Sequence, residues 1–345
     1  MARKTIQNVL TSPEKLAQVN IDNSRLAGEF LLYLKSIGRA ETTISAYEND
    51  LNIFWCYLLE KCGNKSFVKV SKRDLVAYQY WLAEENKNSP ARIRRLKSSI
   101  SSLSNYVENI LDDDEEFSGF RSIVKKIENP INEQVREKTI MTDEQISELL
   151  ASLVRSKQYQ KACAVALAVY SGARKAELLR FKPDYFVPEN IICGSLYKTP
   201  EKMKTKGRGS GKFIYKYVLV NNFKTYYDLW MEERARLGIE CDNLFVRRDS
   251  ADGAWVPASI GTLNSWASTF SKMLGVDFYW HSLRHYFTTH LSEKGIPDTV
   301  IQEIVGWEST EMCHIYIDTS SDEKIGSYFD ENGIKDTNPI SISDL

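Results

Sequence analysis

Residues 281–285 read His-Ser-Leu-Arg-His, and all four histidines of the chain (His281, His285, His290, His314) fall among its last 65 residues. Metal ligation is the first chemistry to weigh, because His281 and His285 stand four apart and share one face of a helix. A zinc hydrolase helix of the H-E-x-x-H type carries a glutamate base beside its first histidine, and Ser282 occupies that place. The six cysteines (56, 62, 163, 193, 241, 313) are scattered with no C-x-x-C spacing, and no acidic cluster offers further ligands. No metal site is therefore expected, and free thiols are the default. The alternative is a larger set. Upstream stands Ser171-Gly172-Ala173-Arg174-Lys175-Ala176-Glu177, a glycine before a helix start whose arginine and acid, three apart, share a face. Downstream stand Val305-Gly306-Trp307 and Ile315-Tyr316-Ile317.

Elements must bring these distant residues together. Leu26, Phe30, Tyr33, Leu34 and Ile37 recur at helical spacing before Gly38. A second helix carries Ile44, Tyr47, Leu51, Phe54, Trp55 and Leu58. A third starts at Ser71, capped with Asp74, and a fourth at Ser89-Pro90, running through Ile93, Leu96, Ile100, Leu103 and Val107. The acidic run Asp112–Glu116 followed by Ser118-Gly119 marks a boundary. Beyond it, Thr142 and Gln145 form a capping box, and Ala162–Tyr170 is apolar throughout. Ile191-Ile192 opens a strand-like region, Lys206–Lys212 reads as a hairpin tip, and Phe213–Val220 reads as a strand. Helical patterns resume after Asn222 and are expected to continue to about residue 331.

The chain of 345 residues suggests about two domains. Its 43% hydrophobic and 11% aromatic content supports real cores and argues against disorder. No run approaches the roughly 18 apolar residues of a membrane span, and Met1–Thr5 opens no signal peptide. A soluble, cytoplasmic protein is expected. The net charge of −1 taken alone argues against a nucleic-acid binder. The average conceals two basic clusters: five basic residues and no acid between Lys87 and Lys97, and seven basic residues against one acid between Lys198 and Lys216. Each is equally a solvated helix face or an ordinary charged hairpin when taken singly.

The ordered series G-A-R-x-x-E-L, a hairpin lysine, H-x-L-R-H, V-G-W and I-Y resembles the tyrosine recombinase (phage integrase) family, over residues 20–330. The resemblance implies a mainly α fold with a small β-sheet. It divides into an N-terminal extension (1–20), a four-helix, SAM-like core-binding domain (21–112), a linker (113–138), an α+β catalytic domain (139–331) and a mobile tail (332–345). It implies site-specific recombination of DNA without ATP, cofactor or metal.

Cleaving a phosphodiester in line needs a nucleophile, charge on the non-bridging oxygens and a proton for the leaving oxygen. By resemblance, Tyr316 is the nucleophile that forms a 3′-phosphotyrosine. Arg174 and Arg284 clamp the phosphate with their guanidinium forks. His281 assists proton transfer, and Trp307 donates its indole N–H. Glu177 orients the set, and Lys206 protonates the 5′-oxygen, with Lys204 and Lys212 as competitors. Arg39, Arg92, Arg94, Arg95, Lys97, Lys204, Arg208 and Lys212 become DNA contacts. Double-stranded DNA with inverted-repeat core sites is the implied partner, bound by a homotetramer, with accessory bending or directionality factors. The segment 322–328 docks on a neighbouring subunit. Many members carry histidine at the position of Trp307, which turns the expectation away from a housekeeping chromosome resolvase and toward the integrase or excisionase of a phage or other mobile element. Alternatives are a DNA invertase, resolvase or Xer-like enzyme of the same chemistry, a type IB topoisomerase, and a silent DNA-bridging protein. Each residue also has a plainer reading: Arg174 as a helix ion pair with Glu177, Trp307 as core, His285 as structural.

Overall fold

The computed structural model describes residues 10–131, 141–205, 212–307 and 309, with the backbone of 329–330 and 333–334. Among these, one unit lies within Thr5–Glu137 and the other runs from Lys138 onward.

The first unit is helical: α1 (Pro13–Leu16), α2 (Ile21–Ser36), α3 (Glu41–Lys61), α4 (Lys72–Tyr80) and α5 (Pro90–Ile110). Local chemistry sets the starts. The Asp74 amide donates to the Ser71 hydroxyl and the Ser71 amide to the Asp74 carboxylate at 2.8 Å, satisfying two donors that the first turn of α4 leaves without helical partners. Ser89 caps α5 and Pro90 occupies its first position, where a missing N–H costs nothing. Past α4 the chain continues as one π-helical turn, Trp81–Glu85. Phe30, Phe54, Trp55, Tyr78, Leu82, Ile100 and Leu103 fill the core, with the rings of Phe54 and Tyr78 at 5.0 Å.

The second unit is built around α7 (Tyr159–Ser171), in which every residue from Ala162 to Val169 is buried. A helix apolar all round must be enclosed, and α6 (Asp143–Arg155), α9 (Val220–Arg236) and α11 (Trp280–Glu293) enclose it. Short α8 (Lys175–Leu178) follows α7. Strands β1 (Ile191–Ile192), β2 (Leu196–Lys198) and β5 (Tyr217–Leu219) form an antiparallel sheet in which Tyr197 faces Val218. Strands β3 (Met203–Lys204) and β4 (Phe213–Ile214) form a hairpin stem around residues 205–212. Helix α10 (Ile260–Leu274) packs against α6 and α8, and α12 (Asp298–Val305) against α11. No described helix is long and apolar enough to cross a membrane.

Three local expectations change. The strand expected over Phe213–Val220 is two strands broken at Tyr215-Lys216, and α9 begins at Val220 rather than after Asn222. The helical stretch expected beyond residue 222 is interrupted by β6 (Val246–Arg248) and β7 (Trp255–Pro257), joined through an Asp249–Gly253 turn with Gly253 at positive φ. Phe245, Val246 and Trp255 carry β propensity, and the aspartate-glycine turn between them outweighs the helical reading. Residues Phe329–Asp330 pair with Gly333–Ile334, where the end of a helical pattern and the start of a tail were expected.

Candidate active site

The end of α7 places the first functional group. The Ser171 hydroxyl accepts from the Ala173 amide at 3.2 Å and donates to the Leu167 carbonyl. Gly172 then turns left-handed at φ 57°, and a Cβ there would meet the Phe287 ring at 2.5 Å, so glycine alone fits. The turn delivers Arg174 to the N-cap of α8. There its amide donates to Glu177 Oε2 at 2.8 Å and its Nη1 to Oε1 at 3.0 Å. Glu177 is buried, at 1% exposure, and accepts a second cation: Lys216 Nζ lies 2.7 Å from Oε2. Burial alone would raise the Glu177 carboxyl; Lys216 and Arg174 outweigh it and hold the group below its ordinary value. Burial pushes the Lys216 ammonium down to about 8, with Arg284 and Arg174 adding to the shift and Glu177 opposing it.

Helix α11 delivers the second set. Arg284 has no exposed surface. Its Nη1 donates to the Gly172 carbonyl at 2.7 Å and its Nη2 to the Val305 carbonyl at 3.1 Å. One guanidinium thus joins the C-terminal ends of α7 and α12, where carbonyls carry partial negative charge. Its central carbon lies 5.5 Å from the Trp307 ring centroid. One turn earlier in α11, His281 is pushed down to about 4, first by burial, then by His285, Arg284 and Arg174 against the pull of Glu177. The imidazole is therefore neutral at pH 7. His285 is buried with its ring perpendicular to that of His281 at 5.5 Å.

The hairpin closes onto the same region. Gly306 ends α12 at φ 72°, and a Cβ there would meet Ile214 Cδ1 at 2.0 Å. Lys212 Nζ donates to the Trp307 carbonyl at 3.4 Å, and the Thr205 amide to the Lys212 carbonyl at 2.6 Å. Lys204 is exposed on β3, its carbonyl taken by Arg180 Nη1 at 2.5 Å. Trp307 is buried in a cluster with Phe287, Leu291, Ile301 and Val305. The structure therefore brings together Arg174, Glu177, His281, Arg284, Trp307 and Lys212. Lys206, Arg208, His314 and Tyr316 lie outside the described residues. The plainer readings of Arg174 and Trp307 also describe real contacts: the ion pair to Glu177 exists, and the indole is core. Among the described residues, no group of three or more histidines, cysteines and acids is placed to hold a metal.

Lys216 is a site residue beyond those the motif series names, and strand periodicity is its signal in the sequence: Ile214, Lys216 and Val218 alternate with Tyr215 and Tyr217, so a lysine falls in register with the buried Val218.

In the helical unit, the basic face of α5 divides. Arg92 Nη1 and Arg95 Nε bond the two oxygens of Asp50 at 2.7 and 3.0 Å, and the Ser99 hydroxyl adds a third bond at 2.8 Å. Asp50 is 2% exposed, while the two arginine side chains keep 39% and 50%. Arg94 donates through Nε and Nη2 to the Pro130 carbonyl. Lys97 corrects an expectation. It is buried, and its ammonium donates to Gln79 Oε1 at 2.7 Å and to the Ile127 and Glu128 carbonyls. It ties the following segment to α5 and presents no charge at the surface. Arg39 is partly exposed just beyond α2.

Residues 139–323 match the model of the phage integrase family. A prophage-derived recombinase-like protein, YomM of Bacillus subtilis (strain 168), is 28% identical over 89% of this chain and 91% of its own length. The tyrosine recombinase XerD of Oceanobacillus iheyensis is 25% identical over 81% and 88%. Among solved structures, XerH site-specific recombinase in a post-cleavage complex with a palindromic difH substrate has a TM-score of 0.62 at 19% identity, covering 83% of this chain and 79% of that one. A lambda integrase tetramer bound to a Holliday junction has a TM-score of 0.59 at 16% identity, covering 86% and 77%.

Proposed function

The chain belongs to the phage integrase family and is a site-specific tyrosine recombinase; on that premise we propose that Tyr316 cleaves DNA by attacking a phosphodiester held at the Arg174–Glu177–His281–Arg284 cluster. The observation that supports this reading most is that cluster itself. Arg174, at the start of α8, pairs with the buried Glu177 carboxylate, and Arg284 of α11, more than 100 residues along the chain, bonds the Gly172 carbonyl two residues before Arg174.

Each residue then has a task set by its surroundings. Arg174, a quarter exposed and fixed at its inner edge by Glu177, donates to the non-bridging oxygens. Arg284, locked on two helix ends, supplies charge that needs no reorganisation as the transition state forms. His281, neutral at pH 7, is able to accept the proton of the tyrosine hydroxyl. The tyrosine oxygen bonds to phosphorus, the bond from phosphorus to the 5′-oxygen breaks, and Lys206 protonates that oxygen, with Lys204 and Lys212 flanking it in the hairpin. The phosphotyrosine conserves the energy of the broken bond, so rejoining by a 5′-hydroxyl requires no ATP.

The partner is double-stranded DNA with inverted-repeat core sites, held by a tetramer. The residues within 21–112 form a core-binding domain whose exposed Arg92, Arg95 and Arg39 contact phosphates, and residues 139–331 form the catalytic domain. The biological setting is a mobile element, in keeping with the prophage origin stated for the YomM relative. The test is covalent trapping: wild-type protein and Tyr316→Phe are mixed with fragmented source DNA, denatured with detergent, and the protein-linked ends sequenced. A Tyr316-dependent 3′ adduct at one inverted repeat is expected. Equal trapping by both proteins would assign the nucleophile to another residue.

A further inference from the structure

Lys216 is fully buried yet charged, and the cleavage chemistry above does not use it. Its backbone is pinned: the Lys216 amide donates to Thr199 Oγ1 at 3.0 Å and its carbonyl accepts from the Thr199 amide at 2.9 Å. Its side chain is pinned at the other end on Glu177 Oε2 at 2.7 Å. The residue lies between β4 and β5, in the segment that leaves the hairpin. One lysine therefore spans from the hairpin to the carboxylate that fixes Arg174.

We infer that Lys216 is a positioning residue for strand cleavage, holding Glu177 so that Arg174 stays aimed and tying the lysine-bearing hairpin to the arginine cluster. The inference rests on the proposed function above. Its physical basis is the cost of the arrangement. An ammonium taken out of water needs a partner, and replacing both members of such a buried pair by apolar side chains is commonly as stable, although removing one member alone strands the other's charge. The ion pair thus contributes geometry rather than cohesion. With Lys216 removed, Glu177 keeps a buried oxygen with only the Arg174 amide bonded to it, and the carboxylate is free to rotate away from Nη1. With its ordinary value lowered only to about 8, the ammonium still carries its charge at pH 7. Lys216 is not itself placed as the proton donor, because its Nζ faces the carboxylate inside the protein.

The experiment is single-turnover cleavage, by the full chain, of a nicked duplex copied from the junction recovered by trapping. Wild type, Lys216→Met, Lys216→Gln and Lys216→Arg are compared, with thermal melting of each. Lys216→Met is expected to slow cleavage by about 100-fold, the scale of an ångström misplacement of a catalytic group. Lys216→Arg is expected to restore most of the rate. A methylphosphonate at the scissile position has no charge for Arg174 to hold, so on that duplex the gap between Lys216→Met and wild type is expected to shrink to less than about tenfold. If Lys216→Met does not fold, Lys216→Gln against Lys216→Arg decides on the same criteria. A wild-type rate in the neutral variants overturns the inference, and so does an equal loss on both duplexes, which marks a purely structural lysine. Rescue by a 5′-bridging sulfur, which leaves without a proton, would make Lys216 the general acid instead. A wild-type protein that cleaves no duplex overturns the recombinase site as a whole, and the Lys216 inference with it.

Discussion

Asp50 in the helical unit and Glu177 in the second unit each accept from two cationic side chains, and each is almost completely buried. The cations differ. Those on Asp50 are arginines that remain 39% and 50% exposed, whereas Glu177 takes one partly exposed arginine and a lysine with no exposed surface. The first arrangement anchors flexible side chains by one edge and leaves their other donors in water. A long phosphate backbone, met at many points, suits such tethered charges. The second is shielded from water, so its charges interact strongly and its geometry is fixed before substrate arrives. One reacting phosphate requires that fixity. A buried acid below two cations thus recurs in both units, and on the proposed function solvent access to the cations suits the first to docking and the second to chemistry.

Removing each acid tests that distinction, and Glu177→Gln is expected to have the larger effect. It leaves the Lys216 ammonium buried beside a neutral amide, at a stability cost of about 3–5 kcal/mol by denaturant unfolding, and it slows cleavage. Asp50→Asn leaves arginines that water can still solvate. It is expected to cost only about 1–2 kcal/mol and to leave the cleavage rate at saturating DNA unchanged. Equal losses in both variants would erase the contrast.

Salt dependence sharpens the same comparison within one helix. Arg95→Ala is expected to reduce the slope of log affinity against log salt by about 1, as expected for one lost phosphate contact. Lys97→Met, two residues away, is expected to leave that slope unchanged and to lower stability, because its ammonium is held by Gln79, Ile127 and Glu128. A drop in slope for Lys97→Met would return it to the DNA surface.

A narrower effect, confined to acid pH, concerns His281. Its folded value, about 4, lies below the ordinary 6.5, so between these values the unfolded chain binds the proton that the folded chain refuses. Stability from this group is present above pH 6.5 and is lost as pH falls toward 4. His281→Asn should flatten the acid side of the stability curve by that one proton. An unchanged slope would mean the imidazole is not held neutral by the fold.

Much of the local structure was readable from short-range chemistry. The Ser71–Asp74 and Thr142–Gln145 capping boxes and the Ser89-Pro90 start all form as their residue types require. So does the meeting of Arg174, Glu177, His281 and Arg284, because the spacing of a known motif carries long-range information that periodicity does not. Asp50, Lys97 and Lys216 are harder to read, for one shared reason. A charged residue in a helix or strand is read as solvent-facing by default, and only a partner far along the chain reverses that. Asp50 waits for α5, Lys97 for the segment at residues 127–128, and Lys216 for Glu177. The β6–β7 hairpin was hidden because its strands are three residues each, too short to display a period of two.

The bond from Arg284 to the Gly172 carbonyl spans 112 residues, and that from Lys212 to Trp307 spans 95. Loops of this size close late, after local helices have formed. A chain still emerging from the ribosome, complete through residue 280, already holds Arg174, Glu177 and Lys216 but lacks the helix that brings His281 and Arg284. On the proposed function, a copy that stops at residue 280 keeps the exposed arginines of the first unit but lacks the charge that α11 brings to the phosphate, so it is expected to bind DNA without cutting it.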